Sequence, residues 1–473
     1  MNMKYVYTFL VLSFCSVFMP VSARAGEPLS VTALFSDHMV LQQKSSVNIW
    51  GKCGPGERLT VLADWGKRVS TIADAKGSWR LKLKTPVAGG PYTITIKNPD
   101  TELLIKDILI GEVWLASGQS NMDIPLKGWP PGDTILNSKK EIEMADYPHI
   151  RFFKVPFKIA STPLNTVEAI WTSMSPETAG NFSATAYFYA RRLHKTLHVP
   201  IGIVQSSIGG TPAEAWTSRP MLEKFGDFNK TVNSLDRVKL DSNTPTALFN
   251  GMINPLVPYT FKGIIWYQGE SNVGRAEQYK RLFPALIKDW RNSWDEELPF
   301  YYVQLAPYLY KADDQKEQSQ KLRDAQRYGL NLPKSGMVTT LDIGYLKTAH
   351  PPYKQEVGDR LARFALNNDY HLKQVPSGPL YKSAKHIGNR LIVKFTSVGS
   401  GLVLSRNNPD NFEIAGKDKV FMKADIKILE RKVILSNHNI TDPVYARYAW
   451  SDGSTATLFN REGLPAATFT SEK

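Results

Sequence analysis

The chain has 473 residues, of which 42% are hydrophobic and 22% are charged. This length allows two or three domains, and the composition excludes a disordered or fibrous protein. The formal net charge is +14, which can steer acidic ligands toward the surface but is equally typical of general surface charge. No nucleic-acid motif and no basic-aromatic array accompanies this charge, so the sequence predicts no nucleic-acid partner.

The first 25 residues are typical of a secretory signal. Lys4 precedes an apolar stretch over residues 5–19, and Ala23-Arg24-Ala25 is a small-x-small cleavage site. The stretch is short for a membrane span, which needs about 20 residues. We therefore expect cleavage after Ala25, no membrane span, and a secreted or periplasmic protein. Cys15 leaves with the signal, so Cys53 has no partner for an internal disulfide.

Residues 26–106 have the pattern of an all-β module. Alternating or apolar runs at 46–50, 59–62 and 92–96 predict strands. The tripeptides at 54–56 and 89–91, rich in glycine and proline, predict turns. We expect a β-sandwich.

Residues 107–371 alternate between strand and helix patterns. Strands are predicted at 201–205, 263–267 and 300–304. Helices are predicted over 183–197, 276–294, 315–330 and 353–366. Alternation of this kind predicts an α/β domain with a mostly parallel sheet and helices on both faces. β patterning returns over residues 372–473, for example at 390–395 and 432–435.

Polar residues follow three probable strands. Ser120 follows the apolar run 108–116, Asn272 follows the strand at 263–267, and His350 lies between the strand-like run 337–342 and the last predicted helix. The carboxyl ends of parallel strands meet at one edge of a sheet, where ligands bind. A serine, a polar donor loop and a histidine at that edge are the parts of a serine hydrolase. The alternative for Ser120 is a helix N-cap.

Several blocks in the correct order resemble the sialate O-acetylesterase family, a branch of the SGNH (GDSL-like) esterases. The blocks are residues 118–122 (GQSNM), 206–216 (SSIGGTPAEAW), 268–272 (QGESN), 350–358 (HPPYKQEVG) and an N-terminal segment at 34–42. The resemblance implies a three-layer α/β/α hydrolase domain flanked by β-sandwich-like regions. It runs from about residue 34 to near the C-terminus.

The resemblance implies a role for each block. Ser120 would be the nucleophile and His350 the base. The oxyanion would be bound by the Ser120 backbone N–H, a glycine N–H of the second block and the Asn272 amide. Gly210 is the first choice for that glycine and Gly209 the second.

The third member of the catalytic group is not evident. SGNH esterases generally have an aspartate two or three residues before the histidine, but Thr348 and Lys347 stand there. Asp342 at the end of a strand, Glu270 in the third block, or a backbone carbonyl in a Ser–His dyad could orient His350 instead. We favour the dyad or Asp342.

Three further polar residues could bind a sugar. Glu214, Gln268 and Glu270 could hydrogen-bond sugar hydroxyls, although a solvated or capping role is as consistent with the sequence. No residues have metal-ligand spacing and no glycine-rich phosphate loop is present, so we expect no metal and no cofactor.

These features predict an exported serine esterase that removes O-acetyl groups from carbohydrate. The family resemblance implies O-acetylated sialic acid as substrate. Acetylxylan or another acetylated plant glycan is the alternative, because the motifs specify ester chemistry and not the sugar. A non-catalytic glycan-binding protein on a hydrolase scaffold is a further hypothesis, motivated by the absent aspartate.

Overall fold

A computed structural model describes residues 1, 3, 27–312, 315–405 and 411–472. The predicted cleavage site at residues 23–25 lies outside these residues. Over the described part of the chain, no helix combines the length and the apolar character needed to cross a membrane.

The described residues form a mixed α/β structure with additional β-rich regions at both ends. The strands are β1 Ser30–Val31, β2 Val40–Gln42, β3 Ser46–Lys52, β4 Arg58–Ala63, β5 Lys67–Ile72, β6 Ser78–Lys84, β7 Gly89–Lys97, β8 Glu102–Gly118, β9 Tyr147–Lys154, β10 Trp171–Met174, β11 Ile201–Ser207, β12 Gly263–Tyr267, β13 Phe300–Val303, β14 Ser335–Val338, β15 Leu380–Ile387, β16 Arg390–Thr396, β17 Leu402–Leu404, β18 Phe412–Ala415, β19 Met422–Lys423, β20 Asp425–Leu429, β21 Lys432–Ser436, β22 Tyr445–Tyr448, β23 Leu458–Asn460 and β24 Phe469–Thr470. The helices are α1 Ser120–Asp123, α2 Ser138–Glu143, α3 Ala184–Leu197, α4 Arg219–Leu222, α5 Asn229–Val232, α6 Ala276–Trp294, α7 Ser319–Gln326 and α8 Lys354–Asn368.

The N-terminal region consists of strands, as predicted. β1, β3 and β6 form a three-stranded sheet, and β4, β5 and β7 join β8. Residues 89–91 are not the predicted turn but the irregular start of β7, where the register with β8 shifts. β8 continues without a break through the predicted boundary at residues 106 and 107, so the N-terminal strands and the central sheet share one strand.

The central sheet is parallel over most of its width. Its order is β10-β9-β11-β8-β12-β13-β14, and only β10 at the edge pairs antiparallel within this path. The chain fills one side of β8 with β9 and β11 and then crosses to the other side with β12. β8 is therefore the point at which the strand order reverses, and crevices for ligands form at the carboxyl ends of strands at such points.

Helices pack on both faces of this sheet. Side chains alternate between faces along a strand, so Trp114 of β8 and Tyr267 of β12 pack with α3 and α8. Their neighbours Val113 and Trp266 pack on the opposite face with α6. Ser183 caps the N-terminus of α3, because its hydroxyl accepts the Ala186 N–H at 3.1 Å.

A buried arginine connects the central region to the C-terminal strands. Arg323 of α7 is fully buried and donates to Thr468 Oγ1 at 3.0 Å and to the carbonyl oxygens of Ala449 and Ser451. Burial lowers its pKa to about 10, so it stays charged at neutral pH. The C-terminal region is therefore held by a buried cation as well as by apolar packing.

Replacing Arg323 with methionine is expected to lower the free energy of unfolding by about 3 kcal/mol, because the carbonyls that it serves lose their donor inside the protein. Lys321→Met, on the exposed side of the same helix, should change it by less than about 0.5 kcal/mol. Urea unfolding of both variants measures the difference. Equal stability of the two variants would contradict this account of Arg323.

Candidate active site

The turn after β8 presents Ser120 at the start of α1. Gly118 has φ +136°, and a Cβ there would lie 2.1 Å from the Tyr267 carbonyl oxygen, so only glycine fits. The Gln119 N–H donates to that carbonyl at 2.9 Å, which ties the turn to the end of β12. Ser120 is thereby placed at the carboxyl edge of the sheet, and 7% of its surface is exposed.

The structure brings His350 to this serine. His350 Nε2 lies 2.8 Å from Ser120 Oγ, within the range of a hydrogen bond between base and nucleophile. On the other side of the ring, Nδ1 lies 2.6 Å from Asp133 Oδ2. An ionised carboxylate only accepts hydrogen bonds, so Nδ1 carries the proton and Nε2 is free to accept from the serine. Ser120, His350 and Asp133 thus form a serine–histidine–aspartate triad.

Asp133 was missed by the sequence analysis. It lies in the loop after α1, where its backbone carbonyl accepts the Trp129 N–H at 2.8 Å. Its other carboxylate oxygen accepts from Thr348 Oγ1 at 2.8 Å, and Thr348 Oγ1 in turn accepts the His350 N–H at 3.1 Å. Thr348 occupies the position where an aspartate was sought, and it serves to fix Asp133 and His350 together. No local motif marks Asp133, because it is 217 residues before His350.

The prediction that Asp342 orients His350 is corrected by this geometry. Both carboxylate oxygens of Asp342 accept from Arg360 of α8, with a distance of 2.7 Å for Oδ1. Asp342 is thus paired with Arg360, and the carboxylate that contacts His350 Nδ1 is that of Asp133. The alternative of a dyad with a backbone carbonyl is also not the arrangement seen.

Two backbone N–H groups are free to bind an oxyanion. Those of Ser120 and Gly209 donate to no other residue over the described chain, and the first N–H groups of a helix lack helical partners. A Cβ built on Gly209 would lie 3.5 Å from the Ser120 Cβ, whereas one on Gly210 would have nothing within 4 Å. Gly209, the second choice of the sequence analysis, thus lies nearer to Ser120 than Gly210, whose N–H is also unpaired over the described chain, and the choice of glycine stays a prediction.

Asn272 connects the second and third blocks. Its Oδ1 accepts the Ala213 N–H at 2.9 Å and Gln268 Nε2 at 2.7 Å, and its Nδ2 donates to Glu214 Oε2 at 2.9 Å. One N–H of the amide remains for an oxyanion. The predicted role as an oxyanion donor therefore stays a prediction, and the bonds seen are those that hold the two blocks together.

The role of Glu214 and Gln268 in binding sugar stays a prediction, and both side chains are buried and hydrogen-bonded within the protein. Glu214 also accepts from Arg275 at 2.6 Å. Gln268 donates to the Thr211 carbonyl at 3.2 Å and accepts from Tyr279 at 3.0 Å. Every polar atom of the two side chains already has a partner within the protein, so the bonds seen are structural ones.

Glu270 belongs to a buried network beneath the triad. Asn121 Nδ2 donates to Glu270 Oε1 and to the Ala349 carbonyl, the latter at 2.8 Å. Lys354 Nζ donates at 2.7 Å to Asn121 Oδ1 and at 2.7 Å to the Pro351 carbonyl. Burial raises the pKa of Glu270 and lowers that of Lys354 to about 7. Glu270 is therefore tied to Asn121 through Oε1, while its Oε2 has no partner among the described residues, and its role in binding sugar stays a prediction.

This network fixes the base relative to the nucleophile. Asn121 follows Ser120 directly in the chain. Its amide donates to the carbonyl of the residue before His350. Lys354 connects the same amide to the carbonyl of the residue after His350. Trp129 adds an edge-on contact to the His350 ring, with centroids 5.5 Å apart. The two catalytic segments are thus held on both sides of His350 by one asparagine.

Replacing Asn121 with alanine is expected to lower kcat about 100-fold with little change in KM, because a displacement of about 1 Å between catalytic groups costs that much. The exposed Asn181→Ala should leave both parameters unchanged. Steady-state kinetics on 4-nitrophenyl acetate, with thermal unfolding of each variant as a check on folding, measures the effect. A folded Asn121→Ala protein with wild-type kcat would refute the positioning role.

A serine–histidine–aspartate triad beside two unpaired backbone N–H groups, at the carboxyl edge of a parallel sheet, is the site of a carboxylic ester hydrolase. Comparisons with known proteins agree with this class. Residues 110–367 match the family model described as a carbohydrate esterase, sialic acid-specific acetylesterase. The chain belongs to this family.

Relatives cover most of the chain. It is 31% identical to the sialate O-acetylesterase of Homo sapiens, over 79% of this chain and 77% of that protein. The sialate O-acetylesterase of Mus musculus is 28% identical, over 91% of each. Among solved structures, a novel carbohydrate acetylesterase from Xanthomonas citri superposes with a TM-score of 0.84 at 35% identity, covering 94% of this chain and 99% of that chain.

Proposed function

We propose that the protein hydrolyses O-acetyl esters of sialic acid through a Ser120 acetyl-enzyme on an SGNH-type scaffold. The observation that carries the ester chemistry is the 2.8 Å contact between His350 Nε2 and Ser120 Oγ, with Asp133 on the opposite ring nitrogen. The names of the relatives, together with their coverage of the chain, support the choice of sugar.

The reaction proceeds in two halves. Ser120 Oγ attacks the acetyl carbonyl carbon while His350 Nε2 takes the hydroxyl proton, and the N–H groups of Ser120 and Gly209 stabilise the oxyanion. The intermediate collapses, the bond to the sugar oxygen breaks, and His350 returns the proton to that oxygen. Water then attacks the acetyl-enzyme with His350 again as base, which releases acetate and restores Ser120. Asp133 stabilises the imidazolium in both halves.

Acetate release from two substrates tests the choice of sugar. Wild type and Ser120→Ala would be compared on O-acetylated sialic acid and on acetylated xylan, with enzymatic quantification of acetate. We expect serine-dependent release from the sialic acid, at a kcat/KM at least 10-fold above that on xylan. Serine-dependent release mainly from xylan would retain the mechanism and replace the substrate. Release from neither by folded wild type would reject the proposal.

We further propose that the protein is exported after cleavage behind Ala25, on the sequence pattern of its first 25 residues. Expression of the full chain in a bacterium should yield a mature product that begins at Gly26. Intact-mass measurement of the protein recovered from the periplasm or medium checks this. A product that retains Met1 and stays in the cytoplasm would contradict it.

A further inference from the structure

A cavity lies between the N-terminal strands and the central region. It has a volume of about 720 Å³, within the range of small-molecule sites. Strands β1, β3 and β6 form one wall, and the segments at Asn165 and Thr166 and at Val257 and Pro258 form the other. The cavity therefore exists only where the two parts of the fold meet.

This cavity is separate from the triad. Val257 and Pro258 precede β12, whereas the third block follows its far end. Because β12 runs parallel to β8, the Ser120 turn and the cavity lie toward opposite ends of the central sheet. A ligand in the cavity does not occupy the acetyl site.

Two buried polar atoms among the lining residues have no partner in the described protein. Trp79 Nε1 and Thr32 Oγ1 form no hydrogen bond, although these residues are only 3% and 5% exposed. A buried donor or hydroxyl without a partner costs about 1–3 kcal/mol. Both residues line the same cavity, so a polar ligand in it could supply the missing partners.

The charges around the cavity favour an anion. Lys52, Lys76 and Arg80 line it together with a single carboxylate, that of Asp74. Asp74 Oδ1 already accepts the N–H groups of Lys76 at 2.8 Å and of Ser78 at 2.9 Å. The cationic side chains thus exceed the acidic ones, and the one acidic group is engaged by its own loop.

The Arg80 side chain is held in position through Nε, while the two terminal nitrogens of its guanidinium group are unpaired within the described residues. Its Nε donates to Asn48 Oδ1 at 3.0 Å, and Asn48 Nδ2 donates to the Pro258 carbonyl at 3.0 Å. Throughout the described ranges, the two terminal nitrogens of Arg80 have no hydrogen-bond partner. Such a guanidinium is suited to bind a carboxylate with two parallel hydrogen bonds.

Aromatic surface completes the site. Trp50 and Trp79 line the cavity, and Trp50 is held by an edge-on contact with Phe35, with centroids 4.6 Å apart. Indole rings offer an apolar face together with a polar N–H. We propose that this cavity is a non-catalytic binding site for a carboxylate-bearing sugar residue, with Arg80 and Lys52 on the carboxylate and Trp50 against the ring. It would hold an acidic glycan at a second point while the triad acts elsewhere.

Calorimetric titration of the full chain with unacetylated sugars tests the site. The acidic probes are sialyllactose and a glucuronic-acid-substituted xylo-oligosaccharide, and lactose and xylotetraose are their neutral counterparts. We expect at least one acidic probe to bind at least 10-fold more tightly than its neutral counterpart, with affinity falling as salt rises. Which acidic probe binds identifies the source of the carboxylate.

Variants locate the binding. Arg80→Gln and Lys52→Gln should each weaken the acidic probe about 10-fold, the loss expected for one charge-assisted hydrogen bond. Arg68→Gln, an exposed arginine on β5 of the same region, is the matched control and should not change the Kd. All three should hydrolyse 4-nitrophenyl acetate at the wild-type rate, since none contacts the triad.

Three outcomes would overturn the proposal: no binding of either acidic probe at millimolar concentration, equal binding of neutral probes, or a Kd unaffected by Arg80→Gln. Because binding is measured with unacetylated sugars, an inactive esterase would leave this test intact. Conversely, failure of the binding test would leave the proposed acetyl ester hydrolysis standing.

Discussion

Replacing Ser120 with alanine is expected to lower kcat on 4-nitrophenyl acetate by on the order of 10⁵-fold or more. The change removes the atom that forms the acetyl-enzyme, and loss of the nucleophile in a triad costs about as much as loss of the whole triad. The fold should be retained, because the Ser120 side chain is bonded only to His350 in the described structure. Any residual rate would come from the backbone N–H groups.

Ser117→Ala is the matched control for this experiment. Ser117 is buried near the C-terminal end of β8. Its hydroxyl has no partner among the described residues. Its loss should leave kcat within about 2-fold of wild type, since no hydrogen bond is broken. A fluorophosphonate probe should label wild type and Ser117→Ala at one site, and should not label Ser120→Ala. Retained activity in a folded Ser120→Ala protein would reject the proposed mechanism.

The second large effect concerns Asp133. Asp133→Asn is expected to lower kcat by about 10⁴-fold, as removal of the carboxylate does in other triads. The amide can present an N–H to Nδ1, which favours the tautomer with the proton on Nε2, where it cannot accept from Ser120. KM should change little, because Asp133 touches the base and not the acetyl group.

Asp342→Asn distinguishes the triad seen in the structure from the one expected from sequence. Asp342 pairs with Arg360, so its loss should leave kcat within a few-fold of wild type and at most reduce stability by about 1 kcal/mol. Steady-state kinetics of both variants, at a pH well above the pKa values of ordinary carboxyl groups, makes the comparison. A larger loss for Asp342→Asn than for Asp133→Asn would mean that the resting arrangement is not the catalytic one.

The positions of Ser120 and His350 could be predicted from sequence because their signals are local. An apolar run, then a glycine, then a serine describes a strand that ends in a tight turn, and Gly118 with φ +136° is the conformation that such a turn needs. The helices at 183–197 and 276–294 were also predictable, because apolar residues that repeat about every 3.6 positions indicate a helix and lie within one short segment of the chain. The structure places them at Ala184–Leu197 and Ala276–Trp294.

The helix expected over 315–330 shows where local patterns become less accurate. The structure has a shorter helix, Ser319–Gln326, followed by a 3₁₀ turn at Arg327–Asn331. Arg323 in this helix is buried against the C-terminal strands. A charged residue at a helix position normally indicates a solvated face, so its burial depended on a partner more than 100 residues away.

By itself, the sequence determined the order of strands and helices, the serine turn and the segment that carries the histidine. Only the tertiary structure decided which carboxylate orients His350, which glycine lies against Ser120, and that Asn121 and Lys354 clamp the base to the nucleophile. Local elements follow from backbone preferences and apolar periodicity within a few residues. Contacts such as that of Asp133 with His350 join residues far apart in the chain, and they form only when strand order and loop closure bring those residues to the same edge of the sheet.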